Sequence, residues 1–181
     1  MTRSLKIIPI KELAVLVSQQ LKKYGIEAVL TGGSCVTIFS GNKYQSLDLD
    51  FVTAAVEYKP KEIVIAMKEL GFRRKPEGFF EHPNCKYVVE FIPPPLAIGR
   101  EPVQKTQKNR TKNGIFLSLS PTDCVKDRLA AFYFWDDLQS LEQAKMVVQA
   151  QKINFAEVKR WSRIEGQMAK YNLFLKEIKK I

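Results

Sequence analysis

The residues best suited to chemistry are two aspartates spaced i and i+2 in an apolar stretch, Leu47-Asp48-Leu49-Asp50-Phe51. In a strand, alternate side chains share a face and lie roughly 6.5–7 Å apart along it. Asp48 and Asp50 therefore point together, with Leu47, Leu49 and Phe51 on the opposite, buried side. Two carboxylates on one surface repel unless a cation neutralises them. Mg²⁺ or Mn²⁺ is the natural candidate, because a hard ion takes one or two carboxylates and fills its other positions with water and phosphate oxygens. Upstream, Ala28-Val29-Leu30 runs into Gly32-Gly33-Ser34, and Cys35 to Phe39 can begin a short helix. Glycines let a backbone approach an anion, and a helix start with a hydroxyl residue offers donors to phosphate.

A third acid stands in Lys86-Tyr87-Val88-Val89-Glu90-Phe91-Ile92, a strand pattern closed by three prolines. Glu90 is costly to bury unpaired, so it faces an opening, pairs with a base or binds metal; as an ordinary edge-strand residue it would face solvent. Its chemical use would be as a metal ligand or as a general base for a hydroxyl.

Gly-Gly-Ser, a short helix and Asp-x-Asp together resemble the nucleotidyltransferase superfamily that shares the polymerase-beta-like core, over roughly residues 28 to 52. The closer likeness is to its minimal toxin and abortive-infection branch, with Gly41 and Ser46 in the places where that branch carries a Gly and a Thr or Ser before the acids. Where relatives often carry an Arg, this chain has Tyr44. The resemblance implies Asp48, Asp50 and Glu90 as metal-binding and catalytic residues, with Gly32, Gly33 and Ser34 binding phosphate. The run Asp-Cys-Val-Lys-Asp-Arg-Leu-Ala resembles a segment that gives a Lys to nucleotide phosphates. It implies Lys126 for triphosphate, with Arg128 as the runner-up and a salt-bridged helix face as the plain alternative.

The positioning elements follow from periodicity. Ile10 to Tyr24 carries Leu13, Leu16, Val17 and Leu21 at helical spacing and ends at Gly25, where a left-handed cap is expected. Pro60 to Leu70 predicts a second helix ending at Gly71. Phe79 to Glu81 and Tyr87 to Ile92 pair around Pro83-Asn84, with His82 a turn residue, and Ile115 to Leu119 adds a further strand. Between them, Arg100 to Lys112 has five basic residues against Glu101 and reads as a mobile basic loop, contacting a phosphate backbone or simply solvated. Ser120-Pro121-Thr122-Asp123 is a helix start. Beyond it, the Phe132 to Trp135 aromatics read as core, Asp136 and Asp137 as N-capping residues. A final amphipathic helix from Asn154 carries Phe155, Val158, Trp161, Ile164, Met168, Tyr171, Leu175 and Ile178, with a basic opposite face.

The 181 residues suffice for one core and carry a net charge of +10, which favours a polyanionic partner, RNA first. Three scattered cysteines argue against a disulfide framework or zinc. No apolar run approaches the ~20 residues of a membrane span, so a cytoplasmic protein with no membrane partner is expected. The expected fold class is α+β: a nucleotidyltransferase-like mixed β-sheet flanked by helices over residues 1–119, then a helical C-terminal bundle over 120–181. The expected reaction moves an NMP from an NTP to an acceptor hydroxyl. The toxin branch implies the tRNA 3′ end as acceptor and an antitoxin protein as partner; a protein or small-molecule hydroxyl would use the same chemistry. The contrasting expectation is a catalytically inactive nucleic-acid-binding module of the same fold.

Overall fold

A computed structural model describes residues 5–53 and 58–180. The fold is α+β, a seven-stranded mixed sheet with helices packed on it, followed by four C-terminal helices. A short 3₁₀ turn, Leu5–Ile7, leads into α1 (Ile10–Lys23), which buries Leu13, Val17 and Leu21 and ends at Gly25 with φ +67°. Then come β1 (Ala28–Thr31), α2 (Gly32–Phe39), β2 (Asp48–Thr53) and α3 (Pro60–Glu69). Two-residue strands β3 (Arg73–Arg74) and β4 (Phe80–Glu81) precede β5 (Val88–Ile92), and a separate hairpin, β6 (Ala97–Ile98) and β7 (Glu101–Pro102), leads to β8 (Gln107–Thr111) and β9 (Gly114–Ser118). The C-terminal helices are α4 (Pro121–Trp135), α5 (Leu138–Ala150), α6 (Phe155–Ile164) and α7 (Met168–Ile178).

The strand order is β3-β4-β5-β2-β1-β9-β8. β2 runs antiparallel to β1 and parallel to β5, while β1 and β9 are parallel. Leu49, Phe51, Val89 and Phe91 are buried on one face, where the Phe51 and Phe91 rings stack with centroids 5.9 Å apart. Burying a side chain of this size stabilises by roughly 1.5–3 kcal/mol, so the alternation that hides these residues also fixes Asp48, Asp50 and Glu90 on the other face. One apolar cluster joins residues from both sides of Ser120, including Leu30, Cys35, Leu129 and Trp161.

Four expectations need correction. Leu47 is 54% exposed, because β2 begins only at Asp48 and Leu47 lies outside the buried alternation. The basic run is not all loop: Gln107 to Thr111 forms an edge strand paired to β9, its polar alternation giving no apolar period to read. The final helix is two helices, interrupted at Gly166, whose φ of +72° a helix cannot accommodate. Of the acids after Trp135, Asp137 caps α5 by accepting from the Gln139 and Ser140 N–H groups, while Asp136 takes the left-handed linking position.

Candidate active site

The parallel register of β2 and β5 sets Asp50 directly opposite Glu90 and Asp48 opposite Val88. Residues opposite one another in adjacent strands share a face, so Asp48, Asp50 and Glu90 form one acidic patch. It lies at the end of β1 that leads into α2, since Thr31 is the partner of Asp50 across the β1–β2 pair. Thr31 Oγ1 donates to the Asp50 carbonyl (3.2 Å) and ties the two strands at that point.

α2 starts immediately after Thr31, at Gly32 rather than Cys35, and Thr31 makes no side-chain cap to it. Its first backbone N–H groups therefore carry no side-chain cap. Gly32, with φ +61°, is required there twice over, because a Cβ would sit 2.2 Å from Asp50 Oδ2 as well as demanding a left-handed backbone. At Gly33 a Cβ would stand 3.0 Å from Ser46 Oγ and 3.4 Å from the Tyr44 ring. Ser34 departs from expectation: it is fully buried, and its hydroxyl donates to the Thr31 carbonyl (3.0 Å), so it turns back into the protein rather than out to a phosphate.

The Asp50 carboxyl is pushed up to about 6, mainly by burial, then by the charges of Glu90 and Asp48 and, more weakly, Asp127; Arg128 opposes the rise. Arg128 is thus the cation that senses Asp50. It is held through Nη2 at 2.6 Å from Asp127 Oδ2 and through Nη1 at 3.3 Å from Gln143 Oε1. Lys126 lies on another side of α4. Its side chain is 8% exposed, and its ammonium is 3.0 Å from Asp123 Oδ1 and 3.2 Å from Glu157 Oε1. Arg160 completes this network with bonds to Glu157 and a two-pronged pair to Glu101 at 2.7 and 2.6 Å. Arg160 and Lys126 together hold the Glu157 carboxyl down to about 2. A single turn after Ser120 therefore supplies cations to two different places. Asp127 holds the Arg128 guanidinium, and its place beside Arg128 in the sequence was the available signal for that contact.

Among the described residues no three His, Cys, Asp or Glu side chains form a ready-made metal cage. The donor set still fits Mg²⁺ or Mn²⁺ of the kind that binds through one or two carboxylates and completes its shell with water and phosphate. The raised Asp50 carboxyl is compatible with this fit, since a cation at the patch would offset both the burial and the neighbouring charges that raise it.

The remaining sequence candidates are placed as ordinary structure. His82 Nδ1 accepts from the Asn84 N–H in its turn, and Tyr133 stacks on Trp161 inside the helical part, its hydroxyl bonded to Ser162. Cys35, Cys85 and Cys124 are free thiols. No described helix is long and apolar enough to cross a membrane.

Neither a family model nor a curated protein sequence matches this chain. Solved structures do. An antigenic nucleotidyltransferase-like protein from Paracoccidioides brasiliensis superposes with a TM-score of 0.59 at 13% identity, over 80% of this chain and 78% of that one. The antibiotic-resistance factor ANT(2'')-Ia superposes in solution with a TM-score of 0.55 at 11% identity, over 93% of this chain and 96% of that one. In its crystal complex with adenylyl-2''-tobramycin the score is 0.54 at 9% identity, over 90% and 98%. The fold is that of a nucleotidyltransferase, and the likeness extends through the C-terminal helices. These neighbours do not point to the toxin branch.

Proposed function

We propose that this protein transfers a nucleoside monophosphate from an NTP to an acceptor hydroxyl. The observation that carries the reading is the Asp48, Asp50 and Glu90 patch beside the uncapped start of α2. Asp48 and Asp50 would hold Mg²⁺ or Mn²⁺, with Glu90 beside them as a third carboxylate; the ion supplies charge compensation for the triphosphate when bound. The N–H groups of Gly32, Gly33 and Ser34 grip phosphate oxygens, and Arg128 offsets negative charge from the α4 side. A Glu90 carboxylate oxygen accepts the proton of the acceptor hydroxyl. The acceptor's hydroxyl oxygen, freed of its proton, forms a bond to the α-phosphorus as the bond to pyrophosphate breaks, and pyrophosphate leaves. Chemistry of this type depends on alignment and charge, so no covalent nucleophile is needed. In this reading Lys126 serves the site indirectly, by fixing α4 against α6.

The acceptor we favour is the 3′ hydroxyl of an RNA, the tRNA end in a toxin-type enzyme with its antitoxin. The charge of +10 supports it, because a basic surface attracts a polyanion and repels a polycationic aminoglycoside. Transfer to a small-molecule hydroxyl is the second reading, supported by the near full-length overlap with ANT(2'')-Ia. Incubation with Mg²⁺, each α-labelled NTP and either total RNA or tobramycin separates them by where the label goes. Label should reach RNA with release of pyrophosphate, and Asp48→Ala should abolish it. Equal labelling by wild type and Asp48→Ala would refute the proposed site.

A further inference from the structure

At the opposite end of the sheet from the acidic patch, α1 and the β8–β9 hairpin border a groove of about 520 Å³. Lys22, Lys108 and Arg110 line it, with Glu27 the one acid among its lining residues. Lys108 and Arg110 alternate along β8 with the half-buried Gln107, Asn109 and Thr111, so both project outward, roughly 7 Å apart. β8 descends from the active-site end, where Gln107 pairs with Ser118 beside β1, to Arg110 opposite Ile115. The hairpin is anchored to α1 by Gln19 Nε2 donating to the Asn113 carbonyl (3.0 Å) and by Asn113 Nδ2 donating to Glu12.

In the helical part, Lys126, Arg128, Lys145, Arg160 and Lys170 have carboxylate partners, while Lys159, Arg163 and Lys176, unpaired among the described residues, do not line this groove. Lys22, Lys108 and Arg110 form no ion pair among the described residues. Unpaired cations on an edge strand also discourage strand addition, which disfavours an extended peptide as the occupant. One short line of positive charge suits one phosphodiester strand rather than the two of a duplex.

We infer that this groove binds the backbone of a single-stranded RNA segment, holding an acceptor away from the carboxylates so that its end reaches them along β8. The inference deepens the RNA-acceptor reading and rests on it for the identity of the polyanion. Anisotropy of a fluorescent single-stranded RNA, without NTP or metal, tests it apart from catalysis. Wild type should bind with an affinity that falls with salt; Lys108→Glu with Arg110→Glu should weaken binding at least tenfold, and removal of these two contacts should flatten the logarithmic salt slope by about 1.4. Lys22→Glu, on a different element, should also weaken binding, and Asp48→Ala should bind as wild type does. Undiminished binding by folded Lys108→Glu/Arg110→Glu and Lys22→Glu proteins overturns the groove. So does polyglutamate or duplex RNA displacing the probe better than unlabelled single strand. Loss of transfer in Asp48→Ala with binding intact separates failure of the groove from failure of the catalytic reading.

Discussion

Two charged regions meet on α4 and behave in opposite ways. Around Asp50, burial first and then carboxylates that outnumber the one cation push the acid up to about 6. Around Lys126, carboxylates and cations alternate, and Glu157 is held down to about 2. The residues responsible are consecutive, Lys126 on one side and Asp127-Arg128 on the other, because each helical step turns the side chain by about 100°. Imbalance is costly without a ligand, whereas a balanced network needs none. We therefore assign the first region to chemistry and the second to holding the C-terminal helices against the sheet.

The hardest test of that contrast is to remove charge from the unbalanced patch. Asp50→Asn should lower nucleotidyl transfer by about 10³-fold or more, read as label transferred per minute at saturating Mg²⁺. Gly32→Ala, which drives a methyl into Asp50, should cost about 10²-fold in the same assay and lower the melting temperature as well. Arg128→Ala should lower the rate by roughly tenfold to a hundredfold, while Lys126→Met should lower stability by about 1–3 kcal/mol in urea and leave the rate nearly intact. If Lys126→Met were the slower enzyme and Arg128→Ala the wild-type-like one, the two regions would exchange roles.

Acidity sharpens the contrast further. A cation must displace the Asp50 proton to bind, so the apparent Mg²⁺ affinity should rise with pH through about 6 and be about tenfold weaker at pH 5 than at pH 7.5 in a binding titration. Stability of the metal-free protein should move oppositely. Folded Asp50 keeps its proton to higher pH than the unfolded chain, so its contribution is full below pH 4 and is lost between about pH 4 and 6. Asp50→Asn should consequently stabilise the metal-free protein at pH 7.5 by about 1–2 kcal/mol, after allowance for solvent screening, and have little effect near pH 4. Glu157 has the reverse sign: its contribution is present above pH 4.5 and lost as pH falls toward 2.

Much of the patch was legible because it is written in short-range periods. The i, i+2 aspartates and the lone acid in Val88 to Ile92 fixed which side chains share a face, and a β-strand leaves no other choice. The Ser120 cap was equally local, with Ser120 Oγ accepting from the Asp123 N–H at 3.1 Å. The direction of Lys126 was not legible, since it depends on Glu157, 31 residues later, arriving on one side of α4. The direction of the Ser34 hydroxyl was not legible either, because a hydroxyl near a helix start can bond backward to its own turn. The β8 strand hid in a basic run because an edge strand with both faces polar has no apolar alternation, whereas the break at Gly166 had a readable signal in the glycine itself.

The missing side chain at Gly32 has a thermodynamic consequence. Asp50 and the first turn of α2 are in van der Waals reach, so in the proposed enzyme the cation's ligand and the triphosphate's cradle share one wall. A cation drawn to that wall favours the anion beside it, and by reciprocity the anion tightens the cation by the same factor. Metal and nucleotide should then load as a pair, each titration curve moving left in the presence of the other.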